Sequence, residues 1–505
     1  MFRSWSSRPS LALIGACAWA ASCSAGQPNR SESDAGSDGG GSDAGYDAPH
    51  DAAADVSPDA PAPSDAAADA LSPSDAGADG DAGPSCAPQP GELGPAGGAA
   101  TVDFNPAAPF LQFIPSLDLG ELTAASQGRE RFVASWDAAP GTREHLDGLG
   151  PLAIASACTS CHTSNGRVPS ILDGGETGVG VLFRIAVPQG NGFGPDPIYG
   201  SQLQSLGVGI PAEGQVRWQS AARPDGLESI EFSPMGLGYG PLAAKAKLGP
   251  RLAPQLLGMG LLEAITEADI ICREDPADGD GDGVRGRAAR LADGSIGRFG
   301  WKAVTATLRG QTAAALSGDM GLTTSLFPEE SCTALQPDCA TQPSGGEPEV
   351  IDQDLDHLAD FMRVLAVPER RVADATRFAA GAGLFESTGC ASCHVPAQRT
   401  REDHPIAALA GQTFYPYTDL LLHDMGPELE DGVPEGDATG DEWRTPPLWG
   451  LGLGGANQRY LHDGRARSLD EAVRWHAGEG DAARAAYVAL SATERALLLE
   501  FLESL

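Results

Sequence analysis

Cys158-Thr-Ser-Cys161-His162 and Cys390-Ala-Ser-Cys393-His394 are two copies of one pentapeptide, Cys-x-x-Cys-His, far apart in a single chain. Two thiols about one helical turn apart can bond the two vinyl groups of one haem, and the histidine after the second thiol is then held beneath the iron. Each copy therefore reads as a covalent c-type haem attachment site. Cys158 with Cys161, and Cys390 with Cys393, would be the thioether anchors, and His162 and His394 the proximal iron ligands. A lone Cys-x-x-Cys is also half of a zinc site, or a redox dithiol. Neither of those explains a histidine directly after the second cysteine, or the repeat. The expectation is two covalently bound haems c, and hence redox chemistry.

Haem attachment of this kind takes place outside the cytoplasm, and the N-terminus has the pattern of an export signal. Arg3 and Arg8 make a positive start, Leu11 to Ala21 a short apolar run, and Ala20-Ala21-Ser22-Cys23 a small-residue cleavage site. That tetrapeptide resembles the lipobox of bacterial lipoproteins, in which the cysteine becomes the lipidated first residue. Cys17 in Ile14-Gly-Ala-Cys17 competes for the role, but its apolar run is shorter. Residues 1–23 are thus expected to be a lipoprotein signal peptide, and the mature protein to be anchored to a bacterial membrane by lipid alone, facing the periplasm or the cell exterior. Residues 24–94 are dominated by Asp, Ala, Ser, Gly and Pro, and between Ser31 and Ser85 there are 13 acidic residues and no Lys or Arg. Such a stretch cannot bury enough apolar surface to offset its ordering entropy and predicts a disordered tether.

The whole chain carries a formal charge of −36 at pH 7, and the part beyond the tether is acidic as well. This excludes nucleic acid and anionic membrane surfaces as natural partners. It is compatible with a basic electron-donor protein, or simply with solubility. Cys86, Cys272, Cys332 and Cys339 remain after the haem and anchor cysteines. In an oxidising compartment they predict disulfides: Cys332 with Cys339 across a short polar loop, and Cys86 with Cys272 by elimination.

A boundary near Pro368 divides the folded part into 95–367, an N-terminal haem domain, and 368–505, a C-terminal cytochrome c domain. An apolar stripe of Leu355, Leu358, Phe361, Met362 and Leu365 predicts a helix over 354–367. Helices are also expected around 252–267, around 307–316, and through Phe378 and Leu384-Phe385. A last helix begins at the capping box Ser491-Ala-Thr-Glu494. With no strong strand alternation in the C-terminal half, the predicted class is mainly α: two cytochrome c-like domains with extensive irregular loops. Asp278-Gly-Asp280-Gly-Asp282-Gly283 spaces carboxylates like a calcium loop, though Ala289 stands where such a loop has a glutamate; an ordinary Asp/Gly turn explains the same pattern.

Further stretches, in order along the chain, carry a resemblance: Gly297-Arg-Phe-Gly-Trp301-Lys, Gln311-Thr, Gly318-Asp319-Met320-Gly321, Arg444-Thr-Pro-Pro-Leu-Trp449-Gly, Tyr460-Leu-His462-Asp-Gly464 and Ser468-Leu-Asp-Glu-Ala-Val473-Arg-Trp-His476. Together with the two pentapeptides, they resemble the bacterial di-haem cytochrome c peroxidase superfamily, in its branch of di-haem oxidoreductases. The resemblance implies that the first haem is where peroxide or oxygen reacts and the second is an electron relay. It puts Trp301 between the haems, Gln311 beside the reacting ligand, and Asp319 where the peroxidases have a catalytic glutamate. Asp319 departs from that pattern, being shorter by one methylene, and a plain helix-end role also fits it. For the second haem's sixth ligand, His404, His423, Met425, His462 and His476 follow the motif. Met425 is the choice from composition, and His476 is the choice from the resemblance, since it takes the place of the family's methionine. For the first haem, His145, Met235, Met259 and His357 offer no justified sixth ligand. The implied function is peroxide reduction with electrons from a protein or small redox donor. The alternatives are cleavage of an organic substrate with dioxygen, as in haem rubber oxygenases, and electron carriage without catalysis.

Overall fold

The computed structural model describes residues 94–143, 145–167, 178–455 and 458–505. The signal peptide, the tether and Cys86 lie outside the described residues, all of which belong to one unit of the chain. No helix among them is long and apolar enough to cross a membrane.

The expectation of a mainly α protein is overturned: 29% of the structure is helix and 18% strand, the strands forming several small sheets. Most of the strand lies between the first haem motif and the Leu308–Met320 helix. There Val181–Gln189 pairs antiparallel with Gly192–Gly194 on one side and Lys247–Leu252 on the other, and Gln215–Ala222 forms a hairpin with Glu228–Met235. These strands are hard to read because they carry prolines at Pro188, Pro234 and Pro250, which argue against a strand. The hairpin also lacks clean alternation: Val216 is buried while most of its own strand is exposed. The expected helix over 252–267 fails for the same reason. Its first residue ends a strand, and only the short helices Met259–Glu263 and Glu267–Ile271 follow.

The other helices form close to where the pattern puts them. Leu308–Met320 starts at Thr307, whose hydroxyl accepts from the Gly310 amide, and ends at Gly321, where a positive φ of 65° suits glycine. Asp352–Arg363, Ala375–Ser387 and Ala492–Ser504 are the expected apolar-striped helices, the last with its capping box formed. One buried cluster takes residues from both sides of Pro368, among them Phe110, Leu261, Phe299 and Val367 with Phe414, Leu420 and Trp449. Thr101-Val102 pairs in parallel with Val367-Pro368.

The Leu119–Val133 helix lies against Asp352–Arg363 and supports the first haem motif. Gly128 permits the approach: a Cβ there would sit 1.8 Å from the His357 carbonyl oxygen. Gly383, in the Ala375–Ser387 helix, has nothing within 4 Å of the equivalent position. Two opposite outcomes follow in thermal or denaturant unfolding. Gly128→Ala should destabilise by at least about 1–3 kcal/mol through overpacking, whereas Gly383→Ala should stabilise by roughly 0.4–1 kcal/mol through the lost entropy of the unfolded glycine.

Candidate haem sites

Each pentapeptide opens onto its own cavity. The short helix Cys158–Cys161 and His162 line a space of about 1780 Å³, counting the part open to solvent. Cys390, Cys393 and His394 line another of about 1370 Å³. None of these four cysteines is in a disulfide. Burial pushes the Cys158 and Cys161 thiols up to about 12, with Asp319 adding to the effect. Among the described residues, three potential metal-ligating side chains converge only at Asp275, Asp278 and Asp280. Neither cysteine pair therefore has the further ligands that a zinc site requires.

Three histidines share one arrangement. His162 Nδ1 donates to the Pro254 carbonyl at 2.8 Å, His394 Nδ1 to the Tyr417 carbonyl at 3.0 Å, and His476 Nδ1 to the Ala472 carbonyl at 2.8 Å. This fixes the tautomer and leaves Nε2 as the nitrogen available to a metal. Burial keeps all three rings neutral, pushing His162 down to about 4 and His394 to about 3, and lowering His476 as well. The His394 and His476 rings face each other with centroids 6.5 Å apart. With an imidazole–metal bond of about 2 Å, and about 1 Å more from ring nitrogen to ring centre, two rings sharing one metal stand about 6 Å apart. The second cavity thus fits a six-coordinate haem held between two histidines.

The other ligand candidates sort themselves. His423 has both nitrogens engaged, Nε2 with Asp419 at 2.9 Å and Nδ1 with Glu479 at 2.7 Å. His404 lines a separate polar cavity. Met425 lines the second cavity but packs with the cluster around Trp475. His462 also lines that cavity, stacked on Trp443 with centroids 3.6 Å apart.

The first cavity gathers Asp319, Gln311 and Trp301 with Cys158, Cys161 and His162. Gln311 and Asp319 lie about two turns apart on one helix and so share a face. Gln311 Oε1 accepts from the Thr305 hydroxyl at 3.0 Å, which turns its amide nitrogen the other way. Asp319 Oδ1 accepts from Gln202 Nε2 at 2.9 Å, and its other oxygen makes no hydrogen bond to the described residues. Burial raises the Asp319 carboxyl above its ordinary value, against the lowering effect of Arg184 and Gln202. Trp301 donates its indole N–H to the Leu252 carbonyl at 2.7 Å and lines both cavities. Met259 also lines the first cavity.

Cys332 and Cys339 form the expected disulfide. Cys272 is also disulfide-bonded. In the acidic loop, Asp275 joins Asp278 and Asp280 in place of the expected Asp282. These side chains accept from nearby backbone amides, as in a turn: Asp275 from Gly279, Asp278 from Gly283, and Asp280 from Asp282.

The sequence profile described as "Di-haem oxidoreductase, putative peroxidase" matches residues 241–505. That is more than half of the chain, and the protein belongs to this family. It is a haem-containing oxidoreductase, and the description implies peroxide as substrate and a redox donor in general terms. The match takes in Trp301, Gln311, Asp319 and the second pentapeptide but not the first. Among solved structures, similarity is found to hydrazine synthase of Kuenenia stuttgartiensis, at 12% identity over 76% of this chain and 92% of that one, TM-score 0.30. A variant of the dihaem peroxidase BthA from Burkholderia thailandensis shares 13% identity over 80% of this chain and 89% of that one, TM-score 0.30. No curated protein matches the chain significantly.

The Asp419–His423–Glu479 triad, which the sequence did not signal, flanks the second site, with His423 Nδ1 3.5 Å from Cys393 Sγ. Burial disfavours its charges, but their mutual attraction prevails: His423 is raised well above its usual value, and Asp419 and Glu479 are lowered. His423→Leu would leave two buried carboxylates facing each other, and should cost about 3–5 kcal/mol in denaturant unfolding. The pH dependence has two limbs. The His423 contribution is fully present below its unfolded value and disappears as pH rises through its elevated folded value; that of the carboxylates disappears on acidification through their lowered values.

Proposed function

We propose that the protein is a di-haem c-type peroxidase, with one covalent haem in each of the segments 95–367 and 368–505. Cys158 and Cys161, and Cys390 and Cys393, would form the thioethers, and His162 and His394 would be the proximal ligands. His476, rather than Met425, would close the second site. The observation that carries this reading is the contrast between the cavities. One has two histidines whose Nδ1 atoms are held by backbone carbonyls and whose ring centroids stand 6.5 Å apart. The other has a single such histidine, with a buried carboxyl and an amide on its wall.

When bound, the haem irons supply the electrons and the Lewis acidity for cleaving an O–O bond. The protein's part at the first site is proton handling and orientation. Asp319 Oδ2, the oxygen that Gln202 does not hold, takes the proton from one peroxide oxygen and returns it to the other, so that water can leave. The Gln311 amide, turned by Thr305, donates a hydrogen bond that orients the peroxide. The apolar lining, with Phe132, Leu182, Leu256 and Leu316, limits competing water. Trp301, on the wall common to both cavities, would pass on electrons arriving from the second site.

Acid-acetone extraction should leave two haems per chain, and Cys158→Ser or Cys390→Ser should each remove about one. Asp319→Asn should retain both and slow peroxide cleavage by roughly 10²–10⁴-fold. Since the working form is the ionised carboxylate and burial raises its pKa, the wild-type rate should fall on acidification at a pH above the ordinary carboxylate range. That limb should vanish in the variant. A wild-type rate in Asp319→Asn would set the mechanism aside, and turnover with dioxygen alone would favour oxygenation of an organic substrate.

His476→Met should keep the second haem low-spin and raise its potential, because thioether ligation favours the ferrous state. Spectroelectrochemical titration reads this directly; an unchanged midpoint would return the choice to Met425.

The cell places this chemistry at a membrane surface through lipid on Cys23, with residues 24–94 as the tether. Cys23→Ser should move the protein from the membrane fraction to the soluble fraction. Loss of membrane association in Cys17→Ser alone would shift the anchor to Cys17.

A further inference from the structure

Three of the arginines that line the haem cavities are supplied with carboxylates. Arg184 meets Glu435 at 3.3 Å, Arg251 is clasped by Asp431 and Glu435, and Arg484 meets Glu428 at 3.4 Å. Arg167 and Arg444 are different. Arg167 Nη1 donates to the Arg459 carbonyl at 3.0 Å, and its Nε has no partner. Arg444 donates from Nε to the Gly300 carbonyl at 2.9 Å and from Nη1 to the Thr445 carbonyl at 3.1 Å. Neither makes an ion pair with a described residue, and each keeps Nη2 without a hydrogen bond to one.

A guanidinium does not escape this by losing its proton, and an unpaired buried cation costs several kcal/mol. Burial lowers both groups to about 10, opposed only by Tyr460 at Arg167 and by Asp419 at Arg444. No described residue supplies either guanidinium with an ion-paired anion. Position limits what such an anion can be. Both arginines line the first cavity and the second, alongside Trp301, Pro446 and Pro447. Arg298, a third arginine without an ion pair on the first cavity, has Glu263 and Glu267 nearby and does not line the second. On the second side, His462 adds a buried ring whose Nε2 has no partner.

We propose that Arg167 and Arg444 form a single carboxylate-receiving wall shared by the two cavities, taking a propionate of the His162 haem on one face and of the His394 haem on the other, and thereby coupling the two reduction potentials. This rests on the reading of both cavities as haem sites. The planar fork of arginine matches a carboxylate through two parallel hydrogen bonds, and the backbone carbonyls that hold Arg444 Nε and Nη1 and Arg167 Nη1 leave the outer nitrogens for that contact. The same cations stabilise the ferrous over the ferric state on both sides, so one substitution acts on two haems.

The test uses full-length holoprotein carrying Arg444→Met, Arg167→Met or the conservative Arg444→Lys, with haem content counted and both midpoints titrated by spectroelectrochemistry. Each Met variant should retain two haems and lower both midpoints. The ferrous-to-ferric ratio at a fixed potential should drop on the order of tenfold, the scale of one charge acting through an effective dielectric of about 20. Arg444→Lys should restore most of the potential while shifting the propionate bands in the resonance Raman spectrum, because the charge remains and the fork is lost. Should a Met variant lose its haem, the Lys variant decides: unshifted propionate bands overturn the proposal. So do unchanged midpoints in the Met variants, or a shift confined to one haem. Wild-type protein without two covalent haems would refute the reading of the cavities instead, a result separable from failure of the wall alone.

Discussion

Three backbone carbonyls, of Pro254, Tyr417 and Ala472, each take the Nδ1 proton of a half-buried histidine. An imidazole that is to meet a metal has to be neutral and fixed in direction, and one hydrogen bond supplies the direction while burial supplies the neutrality. Much of the surrounding chain serves these contacts. Pro254 follows the strand Lys247–Leu252, which is held in the sheet by Val181–Gln189. Tyr417 packs against Phe385 and Phe501 of the C-terminal helices. Ala472 belongs to the short helix Leu469–Trp475, at whose end His476 stands. The sheets, absent from a plain cytochrome c pattern, place the carbonyl that aims the first histidine.

Charge is the second constraint, because the cavities bury so many ionisable groups. Where the fold provides a counter-charge the groups stay ionised, as in the Arg251 pairs and the Asp419–His423–Glu479 triad. Where no ion pair to a described residue forms, burial prevails, raising the Asp319 carboxyl and lowering the Arg444 guanidinium. The same low dielectric makes the wall shared by the two cavities a costly place for an unpaired cation.

The haem-bearing parts of the molecule were legible because they are local. A Cys-x-x-Cys-His segment encodes its chemistry within five residues, and the capping box at Ser491 and Glu494 or the apolar stripe of Asp352–Arg363 declares itself within a few turns. Gln311 and Asp319 could be placed on one face because both stand on one helix. The strands were missed since prolines, and a hairpin strand exposed almost throughout, erase the alternation by which strands are recognised, and the acidic loop was only half legible, Asp275 replacing Asp282 in the cluster.

What depended on contacts between distant segments was decided by the tertiary structure alone. The sequence by itself determined two Cys-x-x-Cys-His motifs and a short slate of further histidines and a methionine after the second of them. Among His404, His423, Met425, His462 and His476, composition pointed to Met425 and the resemblance to His476. Folding pairs His423 with two carboxylates, stacks His462 on Trp443, and brings the His476 ring to 6.5 Å from that of His394. It also brings Arg167 and Arg444, far apart in the chain, to one wall between the cavities. Local spacing sets which chemistry a segment can perform; which groups face each other across a cavity is fixed by packing and by the cost of leaving a buried charge alone.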